Sequence, residues 1–255
     1  MSAIITIKNL YVRYNGKDAL EDISLEVEAG QRVAVVGPNG AGKSTLFKAM
    51  VGLLPRHSGI IAYQEGNLGY VTQRSAVDLS FPVTVYDVVM MGRIAKMGWL
   101  RWQRAHDREV ARRCIEQVGM LPYAARQIGE LSGGQQQRVF IARALAQEAN
   151  ILLMDEPFSG VDAPSQEAIL EILERLHRQG ITILVSTHDL NLAVDRFDRL
   201  ALLNRRLVAY GEPRQVITPA VLAEAYGGQA VWRGEDYALL LGDIGCCGEV
   251  EHQHE

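Results

Sequence analysis

The sequence predicts an α/β fold with an antiparallel β-region at its N-terminus and a helical segment inserted into the core. Three short apolar runs, at residues 33–36, 151–155 and 181–187, are typical of parallel strands that are buried on both faces. Residues 5–14 instead alternate apolar and polar side chains, as a half-buried strand does. From residue 83 to about residue 150 the periodicity is helical, which places a helical insertion between the first and second apolar runs.

Local signals predict the individual elements in chain order. Asn15-Gly16 is typical of a hairpin turn, and the alternation resumes at residues 23–27. A second hairpin is predicted at residues 201–211, and Thr218-Pro219 is typical of the start of a short helix. Two helices are predicted from apolar residues three or four apart, namely Val110, Cys114 and Val118 in the first, and Ile169, Leu173 and Leu176, before Gly180, in the second.

The composition argues against several classes of protein. The 255 residues are 48% hydrophobic and 22% charged, which is ordinary for a globular protein with a sizeable core. The net charge of −4 argues against nucleic acid as the main partner. No apolar run approaches the ~18 to 20 residues needed to cross a bilayer, and no secretory signal is evident. We therefore expect a protein of the cytosolic side, where its three cysteines form no disulfide framework and any membrane attachment is through a partner.

The first apolar run leads into a glycine-rich loop that matches the pattern G-x-x-x-x-G-K-[ST] at residues 37–44. Glycines let the backbone N–H groups cradle phosphates, Lys43 would reach the β- and γ-phosphates, and the Ser44 hydroxyl would ligate Mg²⁺. The alternative is a glycine-rich turn that binds nothing, but the preceding strand and the following helix favour a P-loop nucleotide-binding fold. The residues predicted to bind ATP here are Gly37, Pro38, Asn39, Gly40, Ala41, Gly42, Lys43, Ser44 and Thr45.

A pair of carboxylates follows the second apolar run. Asp155 and Glu156 stand at the end of a predicted strand, and strand ends of an open α/β sheet face its ligand crevice. Asp155 would hold Mg²⁺ directly or through water, and Glu156 would orient or deprotonate the attacking water. The alternative is that these are simply polar residues that end a strand, which becomes less favoured beside a phosphate loop.

A third motif suggests a family. Residues 131–138, LSGGQQQR, match the signature motif of ATP-binding-cassette (ABC) ATPases, and with the two motifs above the chain resembles that family over about residues 4–230. The resemblance implies a P-loop ABC-ATPase core with an N-terminal antiparallel β-subdomain and an inserted α-helical subdomain. It also implies hydrolysis of ATP to ADP and phosphate. The expected domains are the nucleotide-binding core at 1–83 and 151–233, the helical subdomain at 84–150 and a C-terminal tail at 234–255.

The resemblance also assigns single residues at the nucleotide. Tyr14 resembles the aromatic that stacks on adenine, with the nearby Tyr11 as the alternative. Gln73 resembles the glutamine that senses the γ-phosphate and Mg²⁺, and His188 resembles the switch histidine that contacts the γ-phosphate. Taken alone, a Gln or a His is more often structural, so these roles depend on their order and spacing relative to the three motifs.

A further implication of the resemblance is a working dimer. The signature residues precede a predicted helix, residues 135–146, so their N–H groups form an anion site. In the family this site closes over the ATP of the other subunit, and Asp162 lies in the loop that couples the two sites, where Val161 stands in place of a frequent Leu. The residues expected to act on the partner's ATP are Ser132, Gly133, Gly134 and Gln135.

The segment at residues 80–93 is similar to the corresponding segment of manganese, zinc and iron importer ATPases. In the family this region faces a separate integral-membrane permease, which in turn works with a substrate-binding protein. Exposed apolar residues here would form a docking groove. The structural alternative is an ordinary helix start, with Thr84 as the N-cap and with Val88 and Met91 in the core.

Two other segments allow alternatives. Basic residues and tryptophans at 99–104, continued by Arg108, Arg112 and Arg113, would suit a soluble ABC ATPase acting on nucleic acid or ribosomes, although a solvated loop is the favoured interpretation. An importer ATPase for a metal chelate is another alternative.

In the tail, thiols and imidazoles offer metal ligands, but their spacing matches no tight zinc motif, and a solvated tail is favoured. Those residues are Cys246, Cys247, His252 and His254.

Overall fold

The structure is a computed structural model. It describes residues 3–14, 16–64, 66–72, 81–97, 103–227, 230–231 and 240–241. Several predictions fall outside the described residues, namely those for Asn15, Gln73, Ser80, the tryptophans Trp99 and Trp102, and the cysteines and histidines of the tail.

The N-terminal part forms a three-stranded antiparallel sheet with the order β2-β1-β4. Strands β1 (Ala3–Tyr14) and β2 (Lys17–Glu28) pair as a hairpin in which Tyr14 lies opposite Lys17, which confirms the predicted turn. Strand β4 (Ser58–Tyr63) pairs with the other edge of β1 and was not predicted. Its residues alternate between exposed and half-buried. Because neither face of the strand is fully buried, its sequence shows no clear alternation of apolar and polar residues that would predict a strand.

The second sheet has six strands in the order β5-β6-β7-β3-β8-β9. The first five are parallel, and β9 is antiparallel to β8, as the second predicted hairpin requires. The three apolar runs are therefore neighbouring strands of this sheet. The sequence predicted that they are parallel and buried, and the strand order comes from the structure. The strands are β3 (Arg32–Val36), β5 (Leu68–Val71), β6 (Ile151–Asp155), β7 (Thr182–Thr187), β8 (Arg199–Asn204) and β9 (Arg206–Gly211).

Helices pack against this sheet, and three of the helices also pack together as a group. The group consists of the second, fourth and fifth helices, which contact one another, and it buries Val110, Cys114 and Val118 as predicted. A short pair of strands, β10 (Ala230–Val231) and β11 (Leu240–Leu241), lies near the end of the chain. The helices are α1 (Lys43–Met50), α2 (Val85–Met91), α3 (Ile94–Met97), α4 (Ala105–Gln117), α5 (Gly133–Leu145), α6 (Ala163–Arg178), α7 (Leu190–Arg196), α8 (Pro213–Val216) and α9 (Pro219–Tyr226).

The apolar core lies on both faces of the six-stranded sheet. In β3, Val33 and Val35 pack toward α1 and the antiparallel sheet, whereas Ala34 and Val36 pack toward the helical group. Because successive side chains of a strand point to opposite faces, a strand covered on both sides needs apolar residues throughout. This is the physical reason why the central strands are uninterrupted apolar runs in the sequence.

Helix α2 begins at the predicted N-cap, but one of the residues expected in its core is exposed. Thr84 caps the helix through reciprocal hydrogen bonds with Asp87, and Val88 is buried. Met91, however, is 43% exposed, so the structural alternative, in which Met91 packs in the core, is wrong for this residue. The buried face of α2 is centred on Val89, and a helical step of about 100° per residue places Met91 roughly 200° away, on the solvent side.

Candidate functional site

Strand register brings three of the predicted motifs to one edge of the six-stranded sheet. Val36 at the end of β3 pairs with Thr187 at the end of β7, and Asp155 at the end of β6 pairs with Ser186. The glycine-rich loop, Glu156 and His188 each follow one of these strand ends. The carboxyl edge of the sheet, where ligands of open α/β folds bind, therefore carries all three.

The loop after β3 requires glycine at two positions. Gly37 has φ +154°, and a Cβ there would lie 2.0 Å from the carbonyl oxygen of Leu203. Gly42 has φ +97°, and its Cβ would meet the Leu20 side chain at 2.5 Å. A side chain at either position would push the loop away from β8 or from β2. The loop can therefore turn into α1 only with these glycines, which leaves its backbone N–H groups in position to receive phosphates.

Lys43, the first residue of α1, lies beneath the loop with only 6% of its surface exposed. Its ammonium group donates hydrogen bonds to the carbonyl oxygens of Gly37 at 2.7 Å and Pro38 at 3.1 Å. Burial lowers the pKa of Lys43, while the carboxylates of Glu156 and Asp155 act in the opposite direction. The Lys43 ammonium group is thus held at the base of the loop by two carbonyl oxygens. The oxygens of a bound phosphate can replace these carbonyl oxygens as its hydrogen-bond acceptors.

Asp155 is buried and receives two hydroxyl hydrogen bonds on one carboxylate oxygen. Ser44 donates to Oδ1 at 3.0 Å, and Ser186 donates to the same oxygen at 2.6 Å. The Ser186 hydroxyl in turn accepts the backbone N–H of Glu156 at 2.9 Å. Ser186 was not predicted from the sequence, although a serine within the predicted buried strand at residues 181–187 was a signal for it.

Glu156 has a left-handed backbone conformation, with φ +46°. Such a conformation is uncommon for a residue other than glycine and persists only where the surroundings hold it, here through the bond from its N–H to Ser186. Tyr70, on β5, buries its hydroxyl near Asp155, and burial together with that carboxylate raises the pKa of Tyr70. The side chain of Asp155 and the backbone of Glu156 are therefore held in place by buried residues of the neighbouring strands β5 and β7.

A cavity of about 280 Å³ opens over the loop. It contains most of the predicted phosphate-binding residues together with Glu156, and it adds three residues that the sequence analysis did not predict: Asp18, Ala19 and Arg205. Its lining comprises Asp18, Ala19, Asn39, Gly40, Ala41, Gly42, Lys43, Ser44, Thr45, Glu156 and Arg205.

Tyr14 and His188 lie outside this lining. Tyr14 ends β1 and is 59% exposed, and its neighbour Arg13 forms an ion pair with Asp18 at 2.6 Å. In the hairpin, Tyr14 pairs with Lys17, next to the pair formed by Arg13 and the cavity-lining Asp18. His188 is exposed immediately after β7.

The signature residues form the start of α5, away from the cavity. Ser132 caps the helix, so α5 begins at Gly133, two residues earlier than predicted. The Ser132 hydroxyl accepts the N–H of Gln135 at 3.3 Å, and the Gln135 side chain accepts the N–H of Ser132 at 3.0 Å. The reciprocal bonds leave the N–H groups of Gly133 and Gly134 at the positive end of the helix.

Asp162 lies next to the signature through the packing of two helices. It caps α6 by accepting the N–H of Ser165 at 2.9 Å, and these hydrogen bonds lower the pKa of Asp162. A Cβ on Gly134 would lie 2.3 Å from the Cβ of Ser165, so the starts of α5 and α6 touch closely enough to require glycine. None of these residues lines the cavity over the phosphate loop.

Between residues 3 and 241, omitting the gaps given above, no group of three or more His, Cys, Asp or Glu side chains is arranged to hold a metal ion. None of the helices in the same ranges has the length and apolar character to span a bilayer.

Comparisons with known proteins show the family to which the chain belongs. A family model for the ABC transporter family matches residues 20–159. The manganese transport system ATP-binding protein MntB of Bacillus subtilis (strain 168) is 47% identical over 232 residues, covering 88% of this chain and 93% of that protein. The zinc transport system ATP-binding protein TroB of Treponema pallidum (strain Nichols) is 45% identical over 232 residues, covering 88% and 87%.

Solved structures show the same fold. A metal-chelate type ABC transporter in an inward-facing conformation matches with a TM-score of 0.83 and 30% identity, over 93% of this chain and 94% of that one. A dimeric ATP-binding cassette in a post-hydrolysis state, bound to ADP and phosphate, matches with a TM-score of 0.71 and 27% identity, over 82% and 99%. The chain therefore belongs to the ABC transporter family, as an ATP-binding and ATP-hydrolysing cassette.

Proposed function

We propose that this chain hydrolyses ATP to drive the uptake of a transition-metal ion, manganese, zinc or iron, through a separate membrane permease. The supporting observation is that relatives with 47% and 45% identity over 88% of the chain are ATP-binding proteins of manganese and zinc transport systems. One relative belongs to a manganese system and the other to a zinc system, at nearly equal sequence identity. Sequence identity therefore supports a transition-metal cargo, and an experiment must distinguish between the metals.

The phosphate loop and Asp155 form the proposed site for ATP with Mg²⁺. Residues 37–45 hold the phosphates, and Tyr14 stacks on the adenine. The hydroxyl of Ser44 and the carboxylate of Asp155 lie 3.0 Å apart, and such oxygen donors suit Mg²⁺. Gln73, after β5, completes the proposed set of ligands. When bound, Mg²⁺ neutralises charge on the β- and γ-phosphates.

Hydrolysis depends on positioning rather than on a covalent intermediate. We assign Glu156 as the group that orients or deprotonates the attacking water, since its backbone is held in place beside the cavity. His188 and Gln73 contact the γ-phosphate, and Lys43 neutralises its charge. The products are ADP and phosphate.

Two copies of the chain act together in this proposal. Ser132, Gly133, Gly134 and Gln135 close over the ATP of the partner, and Asp162 couples the two sites. Their location outside the chain's own cavity and the dimeric ADP-bound cassette of similar fold support this arrangement. The helical subdomain at residues 84–150 faces the permease, which holds the dimer at the cytoplasmic face of the membrane and receives cargo from a substrate-binding protein.

The role of Glu156 is tested with the variant Glu156→Gln. We expect it to bind ATP with near wild-type affinity, to lose turnover and to accumulate as an ATP-bound dimer in gel filtration. Glu167→Gln, on the exposed face of α6, is the matched control and should keep wild-type turnover. A Glu156→Gln protein that still hydrolyses ATP at the wild-type rate would refute the assignment.

The cargo is tested in cells that lack the gene, complemented with the wild type or with Glu156→Gln. Elemental mass spectrometry measures manganese, zinc and iron together. Selective loss of one metal, restored by the wild type alone, is the expected result and names the cargo. Unchanged levels of all three metals would remove the metal assignment while leaving the ATPase assignment in place, and the nucleic-acid alternative would then be tested by salt-dependent filter binding.

A further inference from the structure

The turn between β8 and β9 is fixed against the phosphate loop by its backbone. The N–H of Arg205 donates to the carbonyl oxygen of Ala41 at 2.9 Å, and the carbonyl oxygen of Arg205 accepts the N–H of Glu21 at 2.8 Å. Arg205 itself has a left-handed backbone with φ +57°. The position of its Cα relative to the loop is therefore set by the loop and by β2 before any ligand binds.

Two arginines stand next to each other on this turn, and their side chains differ in their partners. Arg206 forms a two-nitrogen contact with Glu21, with its Nε at 3.0 Å and its Nη2 at 2.7 Å from the same carboxylate oxygen. Arg205 is exposed and forms no ion pair with any of the described residues. Arg205 is instead one of the residues that line the cavity over the phosphate loop.

The charges around that cavity favour an anion beside Arg205. Lys43 and Arg205 are the cations of the lining, and Glu156 and Asp18 are its carboxylates. Asp18 is already neutralised by its ion pair with Arg13 at 2.6 Å. The guanidinium of arginine is always charged and presents several donors in a fixed plane, which matches the oxygens of a phosphate group.

We propose that Arg205 is a nucleotide-binding residue whose guanidinium contacts the phosphate chain of ATP from the rim of the cavity. This inference rests on the proposed role of residues 37–45 as the phosphate site. The backbone bonds of the turn hold Arg205 at the rim in advance, so binding requires the ordering of only one side chain. Arg206 does not take part, because Glu21 already holds it.

The test compares Arg205→Gln, Arg205→Lys and the matched control Arg206→Gln by isothermal titration of ATP and ADP into each purified protein. Arg205→Gln is expected to weaken binding of both nucleotides about three- to fivefold, as for an exposed charge pair. Arg205→Lys should recover part of the affinity, because the charge is kept while the planar set of donors is lost. Arg206→Gln should bind as the wild type does, and the deficit of Arg205→Gln should shrink at high salt.

Equal affinities for Arg205→Gln and Arg206→Gln would overturn the inference, as would an affinity deficit of Arg205→Gln that stays constant at high salt. The result is separate from the proposed function. A wild-type protein that binds no ATP would refute the phosphate site itself, whereas a wild type that binds ATP, with Arg205→Gln unchanged, would refute only the role of Arg205.

Discussion

Replacing Ser186 by alanine tests how the acidic pair is held. The Ser186 hydroxyl is fully buried on β7, donates to Asp155 at 2.6 Å and accepts the N–H of Glu156 at 2.9 Å. One small side chain thus fixes the proposed Mg²⁺ ligand and the backbone of the proposed catalytic glutamate. Its loss should affect both the stability of the fold and the rate of hydrolysis.

The expected loss of stability follows from the two hydrogen bonds. A bond to a charged group contributes about 1.5 to 3 kcal/mol, and a bond between neutral groups contributes about 0.5 to 1.5 kcal/mol. Ser186→Ala should therefore lower the free energy of unfolding by about 2 to 4 kcal/mol. Because Glu156 adopts a left-handed backbone that this bond supports, we also expect kcat for ATP hydrolysis to fall roughly tenfold.

Thr182→Val provides a matched control on the same strand. Thr182 is also fully buried, but its hydroxyl accepts the N–H of Gly30, at the opposite end of β7 from the acidic pair. This variant should lose about 1 kcal/mol and keep its wild-type kcat. The assays are urea unfolding and steady-state ATPase activity at a temperature where all variants are folded. If the two variants lose the same stability and both keep kcat, the reasoning about Ser186 is wrong.

Three further predictions follow from other charged and buried groups. Lys43→Ala should abolish detectable ATP binding in calorimetry, and affinity within threefold of the wild type would contradict the phosphate-loop role. Hydrogen bonds from Lys96 and Arg93 lower the pKa of Glu148 from 4.5 to about 2, so its stabilising effect is complete above about pH 4.5 and is lost as the pH falls toward 2. Urea midpoints of Glu148→Gln should therefore lie below those of the wild type at pH 7 and converge with them near pH 2, and a constant difference across that range would refute this linkage. Burial raises the pKa of Cys114 to about 11, so its thiol should react with iodoacetamide at pH 8 only after urea unfolding, as mass spectrometry of the peptide would show.

The parts of the fold that the sequence predicted are those with local signals. The strands at residues 33–36 and 151–155 are apolar because both faces are covered, and the turn at residue 16 and the cap at Thr84 depend only on neighbouring residues. Where the signal was weak, the prediction failed. The residues of β4 alternate between exposed and half-buried, so the strand has no fully buried face. Met91 faces solvent because the buried face of α2 is set by α4 and α5.

By itself, the sequence determined which residues carry the chemistry, because phosphate binding needs glycines, a lysine and a hydroxyl at fixed spacing in one loop. It also determined the acidic pair at the end of a buried strand. Only the tertiary structure decided what surrounds them. Ser186 lies 31 residues from Asp155, and Arg205 meets the loop through the bond to Ala41. Those contacts arise from the register of β7 and β8 against β3 and β6, and no pattern local to either segment encodes the pairing of strands that are distant in the chain.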